Sequence, residues 1–313
     1  LATFLICLTK SPGCAFRFIN ILRVLKKYIF TFRLKLNPTH MKVKKILSVI
    51  AVLAFMVACT TNPFTGKQTL ALVPNSQILP MAFQQYDQFL KENKVVRGTA
   101  EARMVNNVGQ KIAAAAERYL TANGYAGYLK NYQWEYTLIQ DPAVNAWAMP
   151  GGKIAFYTGI MPVAKNEAGV AAIMGHEVAH ALANHGQQRM SAGQLQALGA
   201  VAGNVALGND PENQAIFNQA YGLGTTVGVM LPFSRKHETE ADRIGLTLMA
   251  IAGYDPIVAA ELWERMKQQG GASPPEFLST HPSSSTRINN IRQWSAEAKA
   301  EARKFGVTSF RKQ

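Results

Sequence analysis

The chain has 313 residues, of which 48% are hydrophobic and 17% charged, with a formal net charge of +14. The charge is unevenly placed: residues 1–58 hold ten Lys or Arg and no Asp or Glu, so residues 59–313 carry only +4. A basic nucleic-acid surface is therefore excluded as the reason for the charge. With three cysteines, two of them at Cys7 and Cys14, a disulfide framework is excluded as well.

Residues 1–40 are basic and partly apolar and precede a second start at Met41, so they read as an upstream extension without a function of its own. From Met41 the order is that of a secretory signal: Lys42, Lys44 and Lys45, then the apolar run Ile46 to Ala58, which is too short to span a bilayer. Met56-Val57-Ala58-Cys59 resembles a bacterial lipobox, which predicts Cys59 as the lipid-modified first residue of a mature chain. Thr60 stands where an Asp would signal inner-membrane retention, so the expected place is the periplasmic face of the outer membrane. Residues 59–75 then read as a lipidated tether, and 76–313, with no internal repeat, as a single domain.

Within that domain Val105, Val108, Ile112, Ala116 and Tyr119 recur at helical spacing, and the pattern stops at Asn123-Gly124. Tyr132 to Ile139 alternates in the manner of a half-buried strand. Asn145 to Met149 and Lys153 to Thr158 flank Pro150-Gly151-Gly152, which predicts a hairpin and hence a small antiparallel sheet just before the next helix. Asn166 to Arg189 lacks Pro and carries Val170, Ile173 and Ala181, as a buried helix would. Residues 191–231 are rich in Ala, Gly and Val, but Gln194, Gln196, Asn204, Asn218 and Gln219 interrupt any spanning run, so helices packing over the preceding segment are expected. A helix over 235–252 should end at Gly253, Asp255-Pro256 should start the next, and 285–304 should form a polar surface helix. The class is α+β, predominantly helical.

The buried helix contains His176-Glu177-Val178-Ala179-His180. Imidazoles at i and i+4 share one helix face and can bind a single zinc ion, one per chain, while Glu177 stays free as a base. A third ligand is needed. Ala183 and Gly186 replace the Gly and His of a longer zinc motif, and His185, one residue off, would lie on the far side of a continuous helix. Glu238 is the better candidate, with Asp242 one turn later to accept the outer N–H of a ligand His, whereas Glu240 points away and reads as structural. Zinc so held would acidify a bound water and polarise a peptide carbonyl, with Glu177 taking the proton and passing it to the leaving amine.

His-Glu-x-x-His, Ser-Arg-x-x-Glu-x-x-Ala-Asp, the stretch Asn145-Ala146-Trp147-Ala148-Met149-Pro150-Gly151-Gly152, and Thr280-His281-Pro282 with Arg287 together resemble the HtpX and CAAX prenyl endopeptidase family of gluzincins, over roughly residues 60–295. The branch most similar is the periplasmic lipoprotein peptidases typified by LoiP and BepA. The resemblance implies a zincin-like metallopeptidase fold, zinc ligands His176, His180 and Glu238, and Glu177 as general base. It also implies that Asn145, Ala146, Trp147, Ala148 and Met149 pair with an extended substrate, and that Arg287 either contacts a substrate carbonyl or anchors the last helix. His281 would either stabilise the oxyanion or bind the metal in place of water and keep the site latent. The expected activity is endoproteolysis of misfolded or unassembled cell-envelope proteins, with envelope assembly machinery as a further partner. The rival reading is a periplasmic chaperone or assembly factor whose metal site His281 closes.

Overall fold

The computed structural model describes residues 59–208, 210–269 and 276–313, so the expected signal segment 41–58 and the extension before it lie outside the described residues. The first elements, β1 (Cys59–Thr61) and β2 (Gln68–Leu70), pair antiparallel. Their turn is organised by buried Asn62, whose side-chain oxygen accepts from the Phe64 N–H at 2.9 Å. Residues 59–75 thus form an ordered lead-in. The Leu72 N–H donates to Ser191 Oγ (3.0 Å) and the Gln187 amide donates to the Val73 carbonyl (2.6 Å), which leaves this backbone little freedom.

Helix α1 (Asn75–Glu92) buries Tyr86, whose hydroxyl bonds to Thr137 Oγ1 at 2.7 Å and to the Ile154 carbonyl at 3.1 Å, docking the helix on the sheet. After β3 (Val95–Val96), α2 (Ala100–Ala122) starts at Thr99, which accepts from the Ala102 N–H, and buries Val105, Val108, Ile112 and Ala116 of the apolar stripe read from the sequence, with Tyr119 half-buried. It stops at Asn123, with Gly124 at φ +85°.

Strands β4 (Glu135–Ile139), β5 (Ala146–Met149) and β6 (Lys153–Tyr157) join β3 in the order β3-β4-β6-β5. The 5–6 hairpin is antiparallel as expected, with Gly151 and Gly152 at φ +85° and +88°, but β4 and β6 run parallel, so the sheet is mixed. The reason is topological: the chain leaves β4, passes the place of β6, and returns to it through the hairpin. That route leaves β5 at the sheet edge with one strand partner.

The short α3 (Met161–Ala164) leads to α4 (Glu167–Leu182), capped by the Asn166 side chain and buried from Ala168 onward. The buried helix expected to run to 189 ends here instead. Asn184 takes the left-handed conformation (φ 56°, ψ 35°), which Asn tolerates, and α5 (His185–Leu207) sets off in a new direction. Helix α5 buries only residues in its first two turns, and α6 (Pro211–Thr225) buries none, so the pair projects from the body instead of packing over it. A π-helical turn (Thr226–Met230) then feeds α7 (Leu231–Ile251), which ends at Gly253 (φ +87°). Helices α8 (Ile257–Gln269), α9 (Glu276–Thr280) and α10 (Ser285–Arg303) complete the fold. The last, expected on the surface, buries Arg287, Ile288, Ile291 and Ala298 along one face.

Helices α4 and α7 cross in direct backbone contact. A Cβ built on Gly175 would lie 2.8 Å from the Gly245 carbonyl oxygen, and one on Gly245 would lie 2.9 Å from the Gly175 carbonyl carbon. Neither partner is a side chain that could swing aside. Gly245→Ala should therefore push the helices apart, lowering stability by roughly 1–3 kcal/mol and cutting the zinc content per chain; a melting curve and a metal count on the purified variant check both.

Candidate metal centre

Four donors from three segments converge. His176 and His180 come from α4, Glu238 from α7 and His281 from just after α9; all four are buried, with one ligand atom from each within 4.8 Å of the others. The two Nε2 atoms of the His pair are 3.1 Å apart and lie 3.3 and 3.2 Å from the Glu238 oxygens. Such separations are those produced by bonds of about 2.0–2.1 Å at tetrahedral angles around zinc.

The outer sides of the rings explain which atoms face inward. His176 Nδ1 lies 3.0 Å from Asp242 Oδ1, the acceptor expected one turn after Glu238. His180 Nδ1 lies 2.9 Å from His185 Nδ1, and His185 Nε2 lies 2.9 Å from Glu240 Oε2. One tautomer set satisfies all three contacts with neutral rings: His180 donates from Nδ1 to His185, and His185 donates from Nε2 to Glu240. Both inner nitrogens then present lone pairs to each other and to the Glu238 carboxylate, an arrangement that only a cation makes favourable. The N and O donor set suits zinc, and the buried Glu177 Oε1, which has no hydrogen-bond partner, lies beside it.

Titration behaviour follows from the same contacts. Burial opposes the charged form of His176, but hydrogen bonds to Asp242 and Glu238 prevail and carry it up to about 9 in the metal-free protein. Burial pushes the Glu238 carboxyl up, but bonds from His176, His180 and His281 hold it well below the usual carboxylate range. Glu177 is raised, chiefly by burial, while the backbone N–H of Ala148 on β5 bonds to it and tempers the shift. A buried carboxylate with a raised pKa and one free oxygen is suited to receive a proton.

His281 closes the remaining side. Its Nδ1 is 2.9 Å from Glu238 Oε2 and 3.1 Å from His176 Nε2, and its Nε2 is 3.5 Å from Glu177 Oε1. The ring is backed by Phe277, and the His281 N–H donates to the Phe277 carbonyl (2.8 Å). Among the two roles left open for it, the geometry favours a fourth ligand.

Arg287 faces the centre, with Nη1 3.2 Å from Glu238 Oε2. It is buried, donates from Nε and Nη2 to the two Asp242 oxygens at 2.7 Å each, donates from Nη1 to the Pro282 carbonyl (3.1 Å), and lies 3.6 Å over the Trp263 ring. It holds Asp242, and through it the His176 ring, and it also touches the Glu238 carboxylate directly. Asn145 and Ala146 are buried at the start of β5, while Trp147, Ala148 and Met149 are half-buried along the edge strand, with Trp147 packed edge-on against Tyr86 and Phe89.

His185 was expected not to bind the metal and to lie either at the surface or behind a ligand, and Glu240 was expected only as structural. The break at Asn184 abolishes the continuous-helix arithmetic on which the first reading rests, and returns His185, fully buried and stacked on His237 at 4.1 Å, to the back of His180. The left-handed tendency of Asn was the available signal.

The model of peptidase family M48 matches residues 101–295. Similar proteins include the "Mitochondrial metalloendopeptidase OMA1" of Schizosaccharomyces pombe, 37% identical over 192 residues, which cover 61% of this chain and 54% of that protein. That of Saccharomyces cerevisiae is 33% identical over 202 residues (62% and 56%). The "Beta-barrel assembly-enhancing protease" of Escherichia coli is 24% identical over 245 residues (76% and 48%). The chain spans about half the length of these relatives.

The expected outer-membrane, periplasmic location is corrected by these matches, since the relatives at 33% and 37% identity bear names that place them in mitochondria. The physical reason is that a basic, acid-free amino end is shared by secretory signals and mitochondrial transit segments, so its composition does not choose between them.

Two outcomes are expected of the centre. Glu240→Gln keeps the size of the side chain but removes the anion that orders His185, and should weaken zinc binding roughly 10–100-fold in a chelator competition. Zinc must also displace the proton that His176 holds below pH 9. Apparent affinity should therefore fall about tenfold per pH unit as the pH drops below 9 and level off above it, as measured by the same competition across pH.

Proposed function

This chain belongs to peptidase family M48, and we propose that it is a zinc-dependent endopeptidase, held closed at rest by His281, that cleaves extended stretches of misfolded or unassembled proteins. The observation that carries this reading is the convergence of His176, His180 and Glu238 beside the free oxygen of Glu177.

Zinc, when bound there, would lower the pKa of a water and polarise the scissile carbonyl. Asp242 and His185 keep the two ligand rings turned so that Nε2 faces inward. Glu177 Oε1 accepts a proton from the attacking water and delivers it to the departing amide nitrogen, a transfer for which burial has already raised its pKa. The Ala148 N–H fixes the other part of that carboxylate, so the base is positioned by the same edge strand that would pair with substrate.

A peptide added to β5 would gain main-chain hydrogen bonds that a compact protein cannot offer, which supports unfolded or flexible substrates. The Phe277 N–H donates to the Val144 carbonyl (3.2 Å) just before β5, so occupation of that edge acts on the segment that holds His281. The second reading, an assembly factor with a latent site, is favoured by the seat of His281 among the donors.

Cleavage of an unfolded protein such as casein tests the proposal. Glu177→Gln should retain zinc and lose about 10²–10⁴-fold in rate, whereas His281→Ala should retain zinc and cleave faster than the intact chain. If zinc-loaded protein fails to cut in either the intact or the His281→Ala form, the peptidase reading is wrong and the assembly-factor reading takes its place.

A further inference from the structure

Every exposed large hydrophobic side chain among the described residues except Met81 lies between Met190 and Leu231, the stretch that forms the projecting α5–α6 hairpin and its exit into α7. Val205 is 75% exposed, Leu223 67% and Leu198 63%. A water-exposed pair of helices ordinarily turns such residues toward its own seam and leaves amides outside.

Here several amides turn toward the seam instead. Across the seam the Gln196 amide donates to Thr225 Oγ1 (2.6 Å), the Asn204 amide donates to Asn218 Oδ1 (3.1 Å), and the Gln214 amide donates to the Asn204 carbonyl (3.3 Å). Gly199 and Gly203, four residues apart, lie against the Tyr221 and Phe217 rings. Small residues at the contact, amides donating across it and aliphatic side chains facing out are the pattern that an apolar medium selects.

Charge identifies that medium. Between Met190 and Ser234 the only charged residues are Asp210 and Glu212, both at the connection between the helices. At the base stand exposed Arg189, Arg235 and Lys236, none with an ion-pair partner among the described residues. An uncharged aliphatic surface collared by cations matches the acyl boundary and anionic headgroups of a lipid leaflet, while a second copy aligned in parallel would place like charges together at the collar. Among the described residues no helix is long and apolar enough to cross a membrane, and the two carboxylates at the connection belong at headgroup level.

We propose that the α5–α6 hairpin docks along the surface of a bilayer that carries anionic lipid. This inference is independent of peptidase activity. The full chain is used, with Cys7, Cys14 and Cys59 replaced by Ser and a single Cys placed at Val201, Val205 or, as control, exposed Thr121, each carrying an environment-sensitive fluorophore. Vesicles are phosphatidylcholine alone or mixed with phosphatidylglycerol, with nitroxide-labelled lipid as quencher. Because the basic residues 1–58 could hold the chain on any anionic vesicle, the depth of each label decides the matter, not binding. Labels at 201 and 205 should shift to the blue and be quenched several-fold more than the label at 121, chiefly on the anionic vesicles. Vesicle-bound protein whose hairpin labels stay as water-exposed as the control would overturn the proposal. So would a concentration-dependent blue shift without lipid, which would assign the surface to a second copy.

Discussion

The centre depends on the contact between α4 and α7 at Gly175 and Gly245. Side chains of ordinary size hold helix axes 8–10 Å apart, and at that distance a Glu on one helix and two imidazoles on the other meet only loosely. With glycine at the crossing the backbones touch, and Glu238 reaches both His176 and His180 at 3.2–3.3 Å. Glycine inside a helix costs roughly 1 kcal/mol relative to alanine, a cost placed here next to the first ligand and one turn from Asp242.

Close approach alone would assemble a repulsive cluster. What makes it a site is the pair of outer acceptors. Asp242, clamped by Arg287 over Trp263, fixes one ring, and His185 with Glu240 fixes the other. The two arms differ in chemistry. The first is a carboxylate directly on the imidazole, which helps raise His176 to about 9 in the metal-free state. In the second a neutral imidazole intervenes, and burial leaves His180 well below its usual value. A metal-free centre therefore stores one proton on His176, and loading amounts to exchange of that proton for the metal.

The ligands and Asp242 were legible because each pair lies within one helix at a spacing of four, and the α-helix converts that spacing into a shared face. The β5–β6 hairpin was legible from its two glycines. What escaped the sequence depends on contacts between distant segments or on a helix break. His185 sits only five residues after His180, yet one left-handed Asn184 decides its direction. The parallel pairing of β4 with β6 follows from where the chain crosses, which local alternation does not encode. Arg287 was recognised as a motif residue, but its partner could not be chosen, because Asp242 lies 45 positions away and only the packing of α10 on α7 brings the two together. The Gln and Asn residues of 191–231 were read only as interruptions of an apolar run, whereas Asn204 meets Asn218 and Gln196 meets Thr225 across a seam.

The closed position of His281 bears on selectivity as well as on latency. A ligand shifts a two-state equilibrium only by the difference in its affinity for the two states. On the proposed reading, a polypeptide that adds to β5 meets the backbone just before that strand, where Val144 holds Phe277, and so favours the state in which His281 has left the donors. A folded protein has its own main-chain groups paired and offers no strand to add, so it lacks that differential affinity even if it touches the same surface. Discrimination between folded and unfolded chains then needs no pocket for a particular side chain. It follows from coupling one exposed edge of a sheet to one histidine, and the half-buried Trp147, Ala148 and Met149 supply the edge while Glu177, bonded to Ala148, waits behind it.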